Sequence, residues 1–177
     1  RVFGDMKQII ESSKLPYKTI HSWDSRTPMI SREQLRSYDM ILLSGGHVPT
    51  QNAFFEEIHL REKMVGYEGI VMGISAGTMN CSDVVYVQPE MPGESAPEFV
   101  RFRRGLGLTK MMTLPHYNQV KDYMLDGRRL YEDITYADSM GHEFFVLEDE
   151  SYVMIEDGEA KLYGKIRLLK DGRMIQI

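Results

Sequence analysis

The stretch from Gly69 to Asn80 limits this chain more than any other. Gly69-Ile70-Val71-Met72-Gly73-Ile74 is a short apolar run, the pattern of a buried strand. Ala76 onward reads as the start of a helix. Ser75 lies at the junction, inside Gly73-x-Ser75-x-Gly77. A strand that enters a helix through so tight a turn forces its central residue into a strained backbone conformation and needs small neighbours. This is the spacing of a nucleophile elbow, in which the hydroxyl stands above the strand end and the N–H of Ala76 faces an oxyanion. The same residues also describe a plain strand-to-helix turn with a serine N-cap.

Similar alternation surrounds this stretch. Asp5 to Ser12 reads as an amphipathic helix with Met6, Ile9 and Ile10 on one face, ended by Pro16. Tyr17 to His21 is β-like. Ser31 and Gln34 form a capping-box pattern opening a helix that runs to about Tyr38. Met40 to Leu43 is an apolar strand ending in Ser44-Gly45-Gly46, and Gln51 to Val65 reads as a helix. Strand–helix alternation argues for an α/β fold with a mostly parallel sheet flanked by helices on both faces. Ligands of such sheets bind beyond the carboxyl ends of the strands, where both Gly45-Gly46 and Ser75 fall.

Farther on, Val84 to Gly107 carries Pro89, Pro92, Gly93 and Pro97 and reads as a long loop, functional or mobile. Met111 to Leu114 is a strand running into Pro115-His116-Tyr117-Asn118, and Asp126 to Tyr136 is predicted as a helix. Glu143 to Glu148, Ser151 to Glu156, Glu159 to Leu169 and Arg173 to Ile177 are strand-like, with Asp157-Gly158 and Asp171-Gly172 as hairpin turns.

At 177 residues the chain is long enough for one domain, 1–177, with a sizeable core. It starts at Arg1 rather than methionine, so an opening strand could precede it. A net charge of −5 disfavours nucleic acid or an anionic membrane as partner. The single cysteine, Cys81, forbids an internal disulfide and fits a reducing, cytoplasmic setting. No apolar run reaches membrane-spanning length.

A serine nucleophile needs a base and a group that orients the base. Of the five histidines, His21 and His59 fall inside predicted elements and His142 has no catalytic context. His116 follows an apolar strand directly and is the best base; it reads otherwise as a hydrogen-bonded core histidine. His47, next to Gly45-Gly46, could line the crevice and touch substrate, or be an exposed loop histidine. The N–H groups around Gly46 are natural second oxyanion donors. Acids between Ser75 and His116 are Asp83, Glu90, Glu94 and Glu98, in the recurrent order serine, acid, histidine. The pattern does not choose among the three glutamates. Cys81 sits well inside the helix after the elbow and reads as a small buried residue. There is no metal-ligand spacing and no Gly-rich phosphate motif.

Gly73-Ile74-Ser75-Ala76-Gly77, Ser44-Gly45-Gly46 upstream, Pro115-His116-Tyr117-Asn118 downstream and Glu90-Met91-Pro92 together resemble the peptidase E and cyanophycinase family of serine peptidases. The resemblance runs from about Asp5 to Ile177. It implies a class I glutamine amidotransferase-like fold, a flavodoxin-like three-layer sandwich with C-terminal hairpins. It implies Ser75 as nucleophile, His116 as base and the N–H groups of Gly46 and Ala76 as oxyanion hole, and it points to Glu90 as the third member. Peptidase E carries Asp at that place, and its loop has a Gly-Gly-Asn-Thr form that His47 to Asn52 departs from.

The expectation is therefore a cytoplasmic serine exopeptidase acting on short or Asp-containing peptides through Ser75, His116 and Glu90, with Glu94 as runner-up acid. No cofactor is needed, the partner is a small peptide substrate, and a homo-oligomer is compatible. His47, Gln51 and Arg129 are candidate substrate contacts. Arg129 rests on the arginine with which peptidase E binds an N-terminal aspartate; Arg128, or Arg101, Arg103 and Arg104, are alternatives. Rival readings are an esterase or amidase on the same site, or a non-catalytic binding protein that keeps the crevice.

Overall fold

The computed structural model describes residues 7–8, 10–27 and 29–177. Met6 and Ile9, two of the three apolar residues of the first expected helix, lie outside these; residues 7–8 and 10–12 are helical.

Two parallel strand pairs build the part of the molecule that matters for function. In the first, β1 (Met40–Leu43) pairs with β2 (Ile70–Gly73), with Met40 opposite Ile70 and Leu43 opposite Gly73. Between them run α1's successors α2 (Val48–Glu57) and α3 (Leu60–Lys63), α1 itself being Arg32–Arg36. Ser31 caps α1 as expected, its hydroxyl accepting from the Gln34 N–H at 3.1 Å. The long helix expected over 51–65 is broken at His59, whose φ of 52° cannot continue an α-helix. α4 (Ala76–Asn80) follows β2 and packs against α2.

In the second pair, β5 (Met112–Leu114) lies parallel to β8 (Glu143–Leu147), with Leu114 opposite Val146. β8 continues through β11 (Ile166–Lys170) to β12 (Arg173–Gln176), both antiparallel, giving a four-stranded sheet in the order β12-β11-β8-β5. Three antiparallel pairs complete the strands: β3 (Val84–Tyr86) with β4 (Phe102–Arg104), β6 (Met124–Leu125) with β7 (Arg128–Arg129), and β9 (Tyr152–Glu156) with β10 (Glu159–Tyr163). The fold is thus mixed α/β. Among the described residues parallel strand pairs are confined to β1–β2 and β5–β8, with one isolated parallel bridge between Ser82 and Thr109, where a mostly parallel sheet was expected.

Two other expectations change. Tyr17–His21 forms no strand; instead the His21, Trp23 and Tyr38 rings meet edge to face, and Tyr38 Oη lies 2.6 Å from His21 Nδ1. The helix expected over 126–136 is a hairpin followed by a π-helix, Leu130–Thr135. Asp126 and Gly127 both have positive φ, 50° and 76°, the conformation a two-residue hairpin turn demands.

Two apolar clusters carry these elements. Val48, Ala76, Met79, Leu114, Phe144 and Val146 lie together and join α4 to the β5–β8 pair. Leu43, Phe55, Ile58 and Leu60 join β1 to α2 and α3. A buried amide pair ties the two regions: Asn52 Nδ2 donates to Asn80 Oδ1 at 3.0 Å and to the Arg104 carbonyl at 2.9 Å. Asn80 in turn donates to the Ala76 carbonyl at 3.1 Å and to Gln51 Oε1 at 3.1 Å. Buried amides are tolerated only with partners of this kind.

Candidate active site

Register alone brings the key residues to one level. Leu43 stands opposite Gly73, so two residues on, Gly45 stands opposite Ser75. A Cβ on Gly45 would lie 3.2 Å from Ser75 Cβ, which is why the turn there is glycine. Gly46 follows with φ +151°, a conformation that side chains disfavour. Among the described residues the backbone N–H groups of Gly46 and Ala76 have no hydrogen-bond partner.

Ser75 itself has φ 54° and ψ −119°, the strained turn that the spacing predicts. The close approach is measurable at Gly77, where a Cβ would lie 2.0 Å from the Leu43 carbonyl oxygen. Thr78 Oγ1 donates to the Gly73 carbonyl at 2.7 Å and closes the turn from the other side.

The second parallel pair supplies the partners. His116 lies two residues beyond β5, with φ 63°. Asp149 lies two residues beyond β8, at the same end of the same pair. His116 Nε2 is 3.0 Å from Ser75 Oγ, and His116 Nδ1 is 2.7 Å from Asp149 Oδ1. With the Nδ1–H donated to the carboxylate, Nε2 is left as acceptor for the serine hydroxyl proton. Asp149 Oδ2 also accepts from Gln119 Nε2 at 2.6 Å and Asn118 Nδ2 at 3.0 Å, and the Asp149 N–H donates to Asn118 Oδ1 at 2.9 Å. The hydrogen bond from Gln119, then those from His116 and Asn118, hold the Asp149 carboxyl below the usual carboxylate range. A hydroxyl, an imidazole and a carboxylate linked in this order form the arrangement that activates a serine.

Glu90 does not occupy the place expected of it. Its side chain is 48% exposed and lies 3.8 Å from the His47 ring rather than against His116. Glu94, the runner-up, also turns to His47, with Oε1 2.8 Å from Nε2. The physical reason is topological. The loop carrying both glutamates hangs over the Gly45–Gly46 turn, whereas the end of β8 delivers Asp149 beside His116 through parallel register. The acid lies after the histidine in the chain, so the order serine, histidine, acid replaces the expected one.

The expected substrate contacts have other partners. The Gln51 amide donates to the Ser44 carbonyl at 2.7 Å and accepts from Asn80. The Arg129 guanidinium pairs with Asp133 through two hydrogen bonds of 3.0 and 2.6 Å. Arg101 binds Asp138 Oδ2 at 3.1 Å and the carbonyls of Glu94 and Ser95. Cys81 ends α4 with its thiol directed to the Gly77 carbonyl, and burial pushes that thiol up to about 11. Among the described residues no group of three or more His, Cys, Asp or Glu is placed to hold a metal ion. No helix among them is long and apolar enough to cross a membrane.

A mixed α/β fold with a strained serine at a strand end, beside an imidazole and a carboxylate, defines the class as that of serine-type hydrolases. Residues 2–163 match the model of peptidase family S51, and the chain belongs to that family and is a peptidase. Twelve solved chains match its structure. One, a Listeria monocytogenes EGD-e protein assigned to peptidase E, is similar with a TM-score of 0.64 and 19% identity, over 89% of this chain and 74% of that one. No curated protein sequence matches the chain.

Proposed function

We propose that this chain is a serine exopeptidase of short peptides. Ser75 attacks the scissile carbonyl and passes its proton to His116 Nε2. Asp149 holds the imidazole tautomer and balances the imidazolium charge as it forms. The N–H groups of Gly46 and Ala76 receive the oxyanion, and His116 then returns the proton to the leaving amine. The observation that carries this reading is the pair of contacts at 3.0 and 2.7 Å joining Ser75, His116 and Asp149. We also infer that the two parallel strand pairs belong to a class I glutamine amidotransferase-like sandwich.

A preference for acidic substrates draws no support from Arg129, whose planar fork is matched bidentately to Asp133. Asp-Leu, Asn-Leu and Ala-Leu hydrolysis by the wild type and Arg129→Gln tests this point. Relative rates on the three peptides are expected to be the same in both proteins. A loss of Asp-Leu preference confined to the variant would restore Arg129 as a substrate anchor. For the reaction itself, a fluorophosphonate is expected to label Ser75, and Ser75→Ala is expected to lose both labelling and peptide hydrolysis while folding normally. Full hydrolysis by Ser75→Ala would overturn the reading.

A further inference from the structure

The loop expected between β3 and β4 is pinned to the Gly45–Gly46 turn by one side chain. Glu94, whose side chain is 12% exposed, places Oε1 2.8 Å from His47 Nε2. The other imidazole nitrogen lies 2.7 Å from Thr50 Oγ1, so the ring is held at both ends. Nε2–H donates to the carboxylate, and Nδ1 accepts from the threonine hydroxyl. Glu94 Oε2 meanwhile accepts from the N–H groups of Glu90 and Met91, at 2.9 and 3.0 Å. The Glu94 carbonyl accepts from Arg101, Arg101 binds Asp138, and Asp138 accepts from the Tyr86 hydroxyl at 2.7 Å. Tyr86 is 2% exposed and packs in the main core. A continuous series of polar contacts therefore runs from the core to His47, the residue directly after Gly46.

We propose that Glu94 is a positioning residue: through His47 it fixes the Gly45–Gly46 turn opposite Ser75 and so aims the Gly46 N–H at the oxyanion. This rests on the serine-peptidase reading above. Gln51 holds the carbonyls on either side, of Ser44 and His47, at 2.7 and 3.0 Å, but a Cβ at Gly46 itself would meet nothing within 4 Å, and glycine is the residue freest to leave its conformation. An oxyanion donor acts through preorganisation, and losing one donor costs about 10²–10³ in rate. Misaiming one by releasing its turn costs up to that amount. The turn is then held by a side chain on a different loop, and that loop becomes part of the reaction's geometry without touching substrate.

The second-order rate of fluorophosphonate labelling tests this, because the phosphoryl oxygen occupies the oxyanion position as the bond to Ser75 forms. Glu94→Ala and His47→Ala are each expected to slow labelling by about 10–100-fold. The double variant is expected to be no slower than either single one, since Glu94 acts through His47. Thr50→Val, which leaves every Glu94 contact to the loop in place, is expected to slow labelling by a smaller factor in the same direction. Thermal midpoints measured alongside separate folding from chemistry. A Glu94→Ala protein that is less heat-stable but labels at the wild-type rate would overturn the proposal, as would single-variant effects that multiply in the double variant. If Glu94→Ala does not fold, a wild-type labelling rate in a folded His47→Ala overturns it. A wild type that is not labelled at all would instead remove the serine-peptidase reading.

Discussion

Ser75 and His116 both hold positive φ, at 54° and 63°, and neither is glycine. Such conformations cost about 1–3 kcal/mol each and persist only where surrounding structure enforces them. Here the enforcement is specific: Leu43 and Thr78 clamp the turn around Ser75, and Asn118 and Gln119 fix the carboxylate that His116 meets. Cys81 shows the opposite case. It lies six residues from Ser75 in the chain, yet burial holds its thiol at about 11, so little thiolate exists at neutral pH. Iodoacetamide at neutral pH is therefore expected to leave activity intact over a time in which a fluorophosphonate abolishes it. Rapid inactivation accompanied by alkylation of Cys81 would contradict this.

Among the elements, the elbow is the one with no slack. Gly77→Ala would drive a methyl group into the Leu43 carbonyl oxygen at 2.0 Å, and both sides of that contact are backbone. The expected result is destabilisation of about 3 kcal/mol or more, seen as a lower denaturant midpoint, with loss of activity. A near-wild-type midpoint would show that α4 can shift away from β1. This element was also the most legible in the sequence, because a Gly-x-Ser-x-Gly spacing between an apolar run and a helix start has few structural solutions. The hairpin at Asp126–Gly127 carried the same Asp-Gly signature as 157–158 and 171–172, and positive φ recurs at all six positions. It was hidden because the residues after it, Leu130 to Tyr136, have helical spacing, which the π-helix satisfies. Asp149 was legible by a rule already applied to His116, since it follows a recognisable strand directly. The order serine, acid, histidine points instead to the loop between Ser75 and His116, while parallel pairing of β5 with β8 lets an acid 33 residues past the histidine reach it. No pattern of single residues reveals that pairing.

At the scale of the whole molecule, carboxylates link stability to pH. Burial alone would raise the Glu94 carboxyl, but the N–H groups of Glu90 and Met91 and the His47 imidazole outweigh it and hold the group below its ordinary value. Asp149 is lowered too. A carboxylate whose folded value lies below its unfolded one stabilises fully above the unfolded value, about pH 4–4.5, and loses that contribution as pH falls through the lower folded value. The thermal midpoint of Glu94→Gln is thus expected to lie below that of the wild type above about pH 5, and the gap to close toward acid. A gap that widened on acidification would contradict the assignment. The loop 87–101, the Gly45–Gly46 turn and the β5–β8 ends are separate in sequence; Val48, Val87, Leu114 and Val146 gather them into one apolar cluster, and the charged and hydrogen-bonded contacts align their polar groups. The convergence itself is tested most directly by comparing Asp149→Asn with Glu90→Gln in steady-state peptide hydrolysis. Loss of the group orienting the imidazole is expected to lower kcat by about 10³–10⁴-fold in Asp149→Asn, with Glu90→Gln within about twofold of wild type. A wild-type kcat in Asp149→Asn, or a collapse of kcat in Glu90→Gln, would contradict it.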